Sequence, residues 1–407
     1  MDKHPNLALE RSPSIAFVAT CPPRQCGIAT FSTDLERALK TADRSVLIEW
    51  AAINESTSIH LYGPHVRWRI RQGDPDSYRS AAEHLNAAAV DVVSLQHEFG
   101  LYGKWGEPFE DHLTGFLEVL RKPLVTTLHS VLPEPSPSVR AAVQRIAQHS
   151  TILIVMADRA RSLLLQDYAI QPERVSVVPH GVPPIQPRGR TRSKEQLDLS
   201  GRTIITTFGL VDPRKGLEYM IEAMQVVREH DPTALYLIVG KTHPELVRRE
   251  GEAYRRRLWQ LVKDRGLQQH VEFVDEYLSQ TQIVEYLLAS DVYVTPYLDP
   301  QQITSGTLAY ALGAGKAIVS TPYPHAVEVL TPERGILVPF RSQSALAEST
   351  VRILADPALK QRFEHAAYAY GRETAWPRVG QRTLAILRKA AFAMPGHAPS
   401  LAGVSGV

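Results

Sequence analysis

Residues 14–40 read SIAFVATCPPRQCGIATFSTDLERALK, and this stretch shows the pattern that the rest of the chain repeats. Ser14–Thr20 is a short apolar run, typical of a strand that is covered on both faces. A turn rich in proline and glycine follows, and Ile28–Lys40 then has apolar residues at helical spacing. Strand, turn and helix in this order predict an α/β protein with doubly wound parallel sheets.

Short apolar runs alternate with helical patterns along most of the chain. Helices are predicted at Lys215–Glu229 and Val247–Gly266. The further strands are predicted at Val90–Leu95, Leu124–Leu128, Thr151–Val155, Val175–Val178, Thr203–Phe208, Leu235–Val239, Val271–Val274, Val292–Thr295, Ala317–Ser320 and Gly335–Val338.

One segment divides these elements into two sets. Pro183–Gly201 contains three prolines, two glycines and a basic run, so it is interpreted as a linker. We therefore expect one domain over residues 1–185 and a second over residues 186–375, with a disordered tail over residues 395–407. Two open α/β domains that face each other place a ligand cleft between the carboxyl ends of their strands.

The composition excludes several classes of protein. The chain has 407 residues with 45 Lys and Arg against 43 Asp and Glu, and a net charge of +2 argues against a general nucleic-acid binder. No apolar run approaches the ~20 residues of a membrane helix, and the first residues lack the apolar core of a secretion signal. Two cysteines cannot form a disulfide framework, so we expect a reducing, cytoplasmic location.

Three turns are candidate ligand sites. The first, Thr20–Phe31, places Gly27 and the following amides at a helix N-terminus, which suits an anionic or hydroxylated ligand. The alternative is a tight turn without a ligand. Cys21 and Cys26 in this turn have no second pair at matching spacing, so they make a poor metal site.

The second turn is Thr207–Gly216, TFGLVDPRKG, in which Arg214 and Lys215 open a predicted helix. A helix dipole and a cation can hold phosphate there together. Solvated surface charge is the alternative. In contrast, Gly240-Lys241-Thr242 only imitates a phosphate-binding loop, because the earlier glycine that such a loop requires is Leu235.

The third turn lies within Tyr297–Gly315. Thr304, Ser305 and Gly306 precede an apolar helix that starts at Thr307, so free amides there can cradle phosphate or sugar hydroxyls. Gln302 lies one turn earlier and can reach the same ligand. A capped structural helix is the alternative.

Two histidines rank above the others because they lie at or near strand ends. His129 ends one predicted strand and His97 follows another, and open α/β sheets bind ligands at these ends. His180 lies at the domain junction and is as readily structural. We also place Arg24, Ile28 and Glu98 on the first-domain side of this cleft.

The assembled motifs resemble those of glycosyltransferase family 4, and most closely its mannosyltransferase-like branch. The likeness runs from about Ser14 to Leu387. It depends on PPRQCGIATF, LQHEFG, TTLHS, VVPHGV, FGLVDPRKG, ASDVYVTPY and SGTLAYALGAGKAIVSTPY, in that order.

The resemblance implies a GT-B fold, which is two Rossmann-like domains facing across a cleft, with a last helix over residues 376–394 that crosses back to the first domain. It also implies retaining transfer from a nucleotide sugar without an obligatory metal, with the acceptor held by the first domain, on the side of Arg24, Ile28, His97 and Glu98, and the nucleotide-sugar donor held by the second. By position, Gly27 would contact the donor near its diphosphate, His129 its sugar, and Lys215 the diphosphate. Ser305, Gly306 and the following amides would meet sugar and phosphate, and Glu328 falls near a glutamate of the family.

The sequence departs from the family at three positions. The family's two glutamates, one for the donor sugar and one for the ribose, are replaced by Gln302 and Tyr310. Glutamine still hydrogen-bonds to hydroxyls but carries no charge. An arginine that often follows the phosphate-turn glycine is Leu210. Nucleotide recognition must therefore be rebuilt in this chain.

The expected activity is transfer of a sugar, with mannose favoured, from a GDP- or UDP-linked donor to a saccharide or other hydroxyl acceptor. No cofactor and no nucleic-acid partner are expected, and peripheral membrane contact is compatible with the composition. Two alternatives stay open: a phosphorylase or sugar-phosphate-using enzyme on the same fold, and a non-catalytic protein that binds sugar or nucleotide.

Overall fold

Seven parallel strands form the first sheet of the protein. The computed structural model describes residues 11–55, 60–106, 108–186 and 189–392, so the tail predicted at 395–407 lies outside the described residues. The sheet has the order β3-β2-β1-β4-β7-β8-β9. Its strands are β1 (Ser14–Ala19), β2 (Leu47–Asn54), β3 (Val66–Arg71), β4 (Val92–His97), β7 (Leu124–Leu128), β8 (Ile152–Val155) and β9 (Val175–Val177), and a small antiparallel hairpin pairs β5 (Gly103–Lys104) with β6 (Glu110–Asp111).

Six parallel strands form the second sheet, in the order β12-β11-β10-β13-β14-β15. The two sheets confirm the predicted fold class of two parallel-sheet α/β units. The strands are β10 (Thr203–Phe208), β11 (Ala234–Val239), β12 (Val271–Val274), β13 (Val292–Thr295), β14 (Ile318–Ser320) and β15 (Gly335–Leu337).

Helices cover both faces of each sheet and bury separate apolar cores against them. They are α1 (Gly27–Ala42), α2 (Pro75–Ala87), α3 (Leu113–Val119), α4 (Pro137–His149), α5 (Asp158–Asp167), α6 (Arg190–Gln196), α7 (Leu217–His230), α8 (Pro244–Glu250), α9 (Ala253–Asp264), α10 (Gln280–Ala289), α11 (Gly306–Gly313), α12 (Pro324–Val329), α13 (Gln343–Ala355), α14 (Pro357–Glu373) and α15 (Trp376–Phe392).

The sequence patterns missed two strands of the first sheet. β3 is an edge strand in which arginines alternate with apolar residues, VRWRIR, so only part of it is buried. β2 contains Glu49 and two alanines within an otherwise apolar run. Both strands contain charged residues, whereas the strands were predicted from runs that are apolar throughout.

Two predicted helices are also corrected. The helix predicted at Val247–Gly266 is divided into α8 and α9, because Gly251 adopts a positive φ of 59° and ends α8. The helix predicted from Lys215 begins instead at Leu217, after a short 3-10 turn over Pro213–Lys215.

The basic run of the predicted linker is structured and anchors the second domain. It forms α6, whose Lys194 Nζ lies 2.6 Å from a carboxylate oxygen of the buried Asp291. Lys360 Nζ lies 2.8 Å from the other oxygen, and the Ile204 N–H donates to the same carboxylate. Burial by itself would raise the pKa of Asp291, but the Lys360 charge and these hydrogen bonds outweigh it and hold the pKa at about 2.

We expect Asp291→Asn to lower the free energy of unfolding by about 3–5 kcal/mol, because it leaves buried cations without a countercharge. Urea denaturation measures this loss. Glu373→Gln is the matched control, since it breaks an exposed pair with Arg378, and it should change the stability by less than about 1 kcal/mol. Equal losses in the two variants would contradict the anchoring role.

The chain passes between the two sheets twice, and the passages are hydrogen-bonded to each other. The Val182 N–H donates to the Thr374 carbonyl, and the Trp376 N–H donates to the Val182 carbonyl. Gly181 packs so closely on Trp376 that an added Cβ would lie 2.2 Å from the indole ring. After the second passage α15 packs on α1, with Gly380 against Ala38.

Candidate functional site

A cavity of about 540 Å³ lies between the two sheets, within the ~300–1,000 Å³ usual for small-molecule sites. Its first-domain lining includes Gly27, Ile28, Thr30, Phe31, Asp34, Arg37, Glu98, His129, Met156 and His180. Its second-domain lining includes Gly209, Lys241, Tyr277, Gln280, Thr304, Gly306, Thr307 and Tyr310, and Trp376 from α15 completes it.

The lining residues follow the carboxyl ends of strands in both sheets. Glu98 follows β4, His129 follows β7, Gly209 follows β10 and Lys241 comes shortly after β11. Parallel sheets bind ligands at this edge, and most readily where the strand order reverses, as it does between β1 and β4 and between β10 and β13. The cavity is therefore the ligand site that both topologies predict.

The N-terminus of α1 opens into the cavity. The Cys26 thiol accepts the Ala29 N–H and caps the helix. Gly27 is the first helical residue and lines the cavity, and a Cβ added there would meet no atom within 4 Å. The positive end of a 16-residue helix thus faces open space that a ligand can occupy.

The N-terminus of α11 reaches the same cavity from the second domain. Ser305 caps this helix through its hydroxyl, and its own N–H donates to His325 Nδ1 at 2.9 Å. Ser305 is therefore occupied structurally, contrary to the prediction that its amide is free. Among the described residues nothing accepts from the N–H groups of Gly306 and Thr307, which line the cavity.

Two neutral histidines and Phe31 form the inner wall. Nε2 of His129 donates to Gln96 Oε1 at 3.0 Å, since the Gln96 amide group is used towards Ser94. Burial, together with the nearby His180 and His97, lowers the pKa of His129 to about 3. The Phe31 ring lies 4.7 Å from the His129 ring and 5.2 Å from the His180 ring.

His180 lines the cavity, although its position at the domain junction had suggested a structural role as readily as a functional one. Its Nδ1 donates to the Gly181 carbonyl at 2.8 Å, so the neutral ring presents Nε2 as an acceptor. An ideal Cβ on Gly306 would lie 2.9 Å from that Nε2. The histidine therefore packs directly against the N-terminus of α11, and a side chain at position 306 would have to displace it.

His97 lies behind the cavity wall and does not line it. Its ring stacks on Tyr102 at 5.4 Å between ring centroids, and its buried Nδ1 has no partner among the described residues. Burial lowers the pKa of His97 to about 4.

Glu98, the next residue, does line the cavity. Its carboxylate accepts from Ser130 Oγ at 2.8 Å and from the Phe99 N–H at 2.9 Å. Burial nevertheless raises the pKa of Glu98 to about 7, against these hydrogen bonds and the nearby charge of Arg214.

The two predicted phosphate-binding cations lie behind or beside the cavity. Lys215 is half-buried, with Nζ 3.8 Å from the centre of the Tyr297 ring, and burial lowers its pKa to about 8. The Tyr297 hydroxyl is 2.6 Å from the Thr307 hydroxyl, so one tyrosine separates Lys215 from the cavity. Arg214 is exposed and pairs with Asp212 through two nitrogen atoms.

Lys241 lines the cavity, although it was not among the predicted site residues because its motif fails the phosphate-loop pattern. Its exposed side chain follows β11 at the ligand-binding edge of the sheet. The position after a buried strand was the signal that could have identified it, because that position does not depend on the motif.

The predicted sugar-contacting residues divide into two groups. Thr304 lines the cavity, and its buried hydroxyl has no partner among the described residues. Gln302 does not line the cavity, and its side-chain amide donates to the Thr304 carbonyl at 3.3 Å.

Tyr310 lines the cavity but bonds across it. Its hydroxyl lies 3.4 Å from Asp34 Oδ2 in the first domain, and Gln280 Nε2 donates to both groups at 2.9 Å and 2.8 Å. Asp34 and Gln280 were not among the predicted site residues. Their proximity arises only when the two domains come together.

Two further predicted residues lie away from the cavity lining. Glu328 caps the N-terminus of α5, because its carboxylate accepts the N–H groups of Asp158 and Arg159 at 2.9 Å each. Arg24 donates to the Ile53 carbonyl and to Gln72.

No three His, Cys, Asp or Glu side chains of the described residues come together as a metal-binding group. Within the same residues, no helix combines the length and the apolar character that a membrane span requires.

We expect the stability of His97→Phe to depend less on pH than that of the wild type. The folded protein keeps His97 neutral down to pH about 4, whereas the unfolded chain takes up a proton below about 6.5. Stability is therefore full above pH 6.5 and falls as the pH drops towards 4, by about 1.4 kcal/mol per pH unit for this residue. Phenylalanine keeps the ring stacking and removes the titration.

Urea unfolding at pH 7.5, 6.0 and 5.0 measures the difference. Glu98 has a raised pKa and acts in the opposite direction, but it is present in both proteins, so its contribution cancels. Parallel stability curves for the two proteins would show that His97 is not held neutral.

Two family models match consecutive parts of the chain. The model described as Glycosyltransferase Family 4 matches residues 42–185, and the model described as Glycosyl transferases group 1 matches residues 189–370. The chain belongs to glycosyltransferase family 4.

The curated relatives of this chain are distant. It is 23% identical over 387 residues to the GDP-mannose-dependent monoacylated alpha-(1-6)-phosphatidylinositol monomannoside mannosyltransferase of Corynebacterium glutamicum, covering 90% of this chain and 95% of that one. D-inositol 3-phosphate glycosyltransferases of Corynebacterium glutamicum and Jonesia denitrificans are 23% and 24% identical over 64% and 66% of this chain. Those matches span 65% and 66% of the relatives' own length.

Solved structures share the GT-B fold. Anabaena HepE, in complex with UDP and glucose, superposes with a TM-score of 0.71 at 16% identity, over 92% of this chain and 99% of that chain. Sucrose-phosphate synthase from Thermosynechococcus elongatus gives 0.71 at 19% identity, over 93% and 99% of the two chains.

Proposed function

We propose that the protein transfers a sugar from a nucleotide sugar to a hydroxyl acceptor with retention of anomeric configuration, and that GDP-mannose is the favoured donor. One observation carries this proposal. Helix N-termini from two different domains, at Gly27 and at Gly306, face one cavity that Lys241 also lines. Such an arrangement suits a diphosphate.

The site meets the main electrostatic demand of the reaction. The leaving nucleoside diphosphate develops negative charge, which the amides of α1 and α11 and the Lys241 ammonium group would stabilise. Lys215 adds positive potential from behind Tyr297. Charges in a closed cavity interact more strongly than in water, because fewer solvent dipoles screen them.

The protonation states of His129 and His180 support a step in which neither histidine acts as the base. His129 and His180 are neutral and can hydrogen-bond to sugar hydroxyls, but their low pKa values make them weak bases at pH 7. In the proposed step the acceptor oxygen attacks C1 from the face that the phosphate leaves. A phosphate oxygen takes the hydroxyl proton, and the C1–O bond to the diphosphate breaks as the new bond forms. Glu98 lies where it can orient the acceptor.

Thermal-shift measurements with GDP, UDP, ADP and mannose 1-phosphate test the donor class, because a ligand stabilises the state that binds it. Stabilisation by a nucleoside diphosphate supports the proposal. Stabilisation by mannose 1-phosphate alone would favour the phosphorylase reaction. This alternative stays open because Tyr310 on α11 replaces the glutamate that binds the nucleotide ribose in the family. The anomeric configuration of the product, read by NMR, tests retention, and activity that persists in EDTA tests the proposed independence from metal.

We expect Lys241→Ala to weaken GDP binding by about ten- to a hundredfold, since a hydrogen bond to a charged group contributes roughly 1.5–3 kcal/mol. Calorimetric titration measures the affinity. Lys263→Ala removes an exposed lysine of α9, away from the cavity, and should bind GDP as the wild type does. Unchanged affinity in Lys241→Ala would remove this lysine from the diphosphate site.

We also expect kcat/KM to fall as the pH rises above about 8. Lys215 has a lowered pKa of about 8, so its charge is complete at pH 7 and lost at higher pH. Lys215→Arg keeps the charge across this range and should move the decline to higher pH. An unchanged decline in that variant would assign it to another group.

A further inference from the structure

A buried carboxylate from the first domain lies at the cavity wall with capacity for more hydrogen bonds. Asp34 is 5% exposed and accepts from Arg37 through Oδ1 at 3.1 Å. Its Oδ2 accepts from Gln280 and, at 3.4 Å, from Tyr310. A carboxylate offers about four lone-pair sites, so at least one on Oδ1 is unused, and the long bond from Tyr310 is easily exchanged.

Asp34 and the N-terminus of α1 lie on the same face of one helix. They are separated by seven residues, which is close to two full turns, and both Gly27 and Asp34 line the cavity. At 1.5 Å per residue the separation along the axis is roughly 10 Å. A ligand whose phosphates bind at Gly27 can therefore reach Asp34 with its neighbouring polar groups.

The chemistry at Asp34 selects hydroxyl groups. A second phosphate would be repelled by the carboxylate, whereas a vicinal diol donates two hydrogen bonds to it. In a nucleoside diphosphate the 2′- and 3′-hydroxyls of the ribose form such a diol, and the 5′-oxygen of the same ribose is bonded to the first phosphate. Burial raises the pKa of Asp34, which shows that its present partners do not fully compensate its desolvation and that further donors would stabilise it.

We propose that Asp34, positioned by Gln280 and Tyr310, accepts the ribose hydroxyls of the nucleotide donor. The inference rests on the proposed function. It assigns ribose recognition to α1 of the first domain, whereas the phosphates are shared between both domains. Nucleotide binding would then hold the two domains together, because the ribose joins the contacts that Asp34 makes with Gln280 and Tyr310.

The test compares GDP with 2′,3′-dideoxy-GDP by calorimetric titration. The wild type should bind GDP at least tenfold more tightly than the dideoxy analogue. Asp34→Asn should lose most of this discrimination through weaker GDP binding, while its affinity for the analogue changes by less than about twofold. The isosteric substitution preserves the helix, and circular dichroism at 25 °C checks that the variant is folded.

Glu328→Gln is the matched control. It weakens another contact between the domains, in which Glu328 accepts the N–H groups of Asp158 and Arg159 away from the cavity, and should leave the discrimination intact. Equal weakening of both ligands in Asp34→Asn would overturn the inference and make Asp34 a domain contact only. A wild type that binds GDP and the analogue equally overturns it without any variant, and leaves the proposed function standing. A wild type that binds neither GDP nor UDP overturns both.

Discussion

The paired passages of the chain between the two sheets are the constraint on which the cavity depends. Val182 is hydrogen-bonded to Thr374 and Trp376, so the two crossings cannot move independently. Because Trp376 packs on Gly181 and contacts Phe31, the same junction also forms the inner wall of the cavity. The geometry of the ligand site is thus tied directly to the geometry of the domain junction.

Charge is distributed unevenly around this wall. Positive potential comes from two helix N-termini and Lys241, while the inner histidines stay neutral because burial opposes their protonation. The buried carboxylates of Asp34 and Glu98 have raised pKa values, so they gain from ligands that donate hydrogen bonds. A diphosphate and a set of hydroxyl groups match these two kinds of surface, and a nucleotide sugar contains both.

Several polar residues that resemble ligand-binding groups in the sequence have structural partners instead. The Ser305 amide bonds to His325, Glu328 caps a helix of the other domain, and the Gln302 side chain bonds to its own loop. These contacts hold the α11 loop and the domain interface in place. They leave Gly306, Thr307 and Thr304 as the groups of that loop that face the cavity.

The sequence by itself determined the α/β class, most strands of both sheets and three turns that border the cavity, because buried parallel strands and helix N-termini have strong local patterns. It did not reveal edge strand β3, in which arginines alternate with apolar residues, or the place of Lys241 in the cavity lining. Only the tertiary structure decided which of the predicted groups meet. Asp34 and Tyr310 are separated by more than 270 residues, and their hydrogen bond exists because the two domains close on each other. Burial, which is a property of the packed structure, also shifted the pKa values of the histidines and carboxylates at the cavity wall.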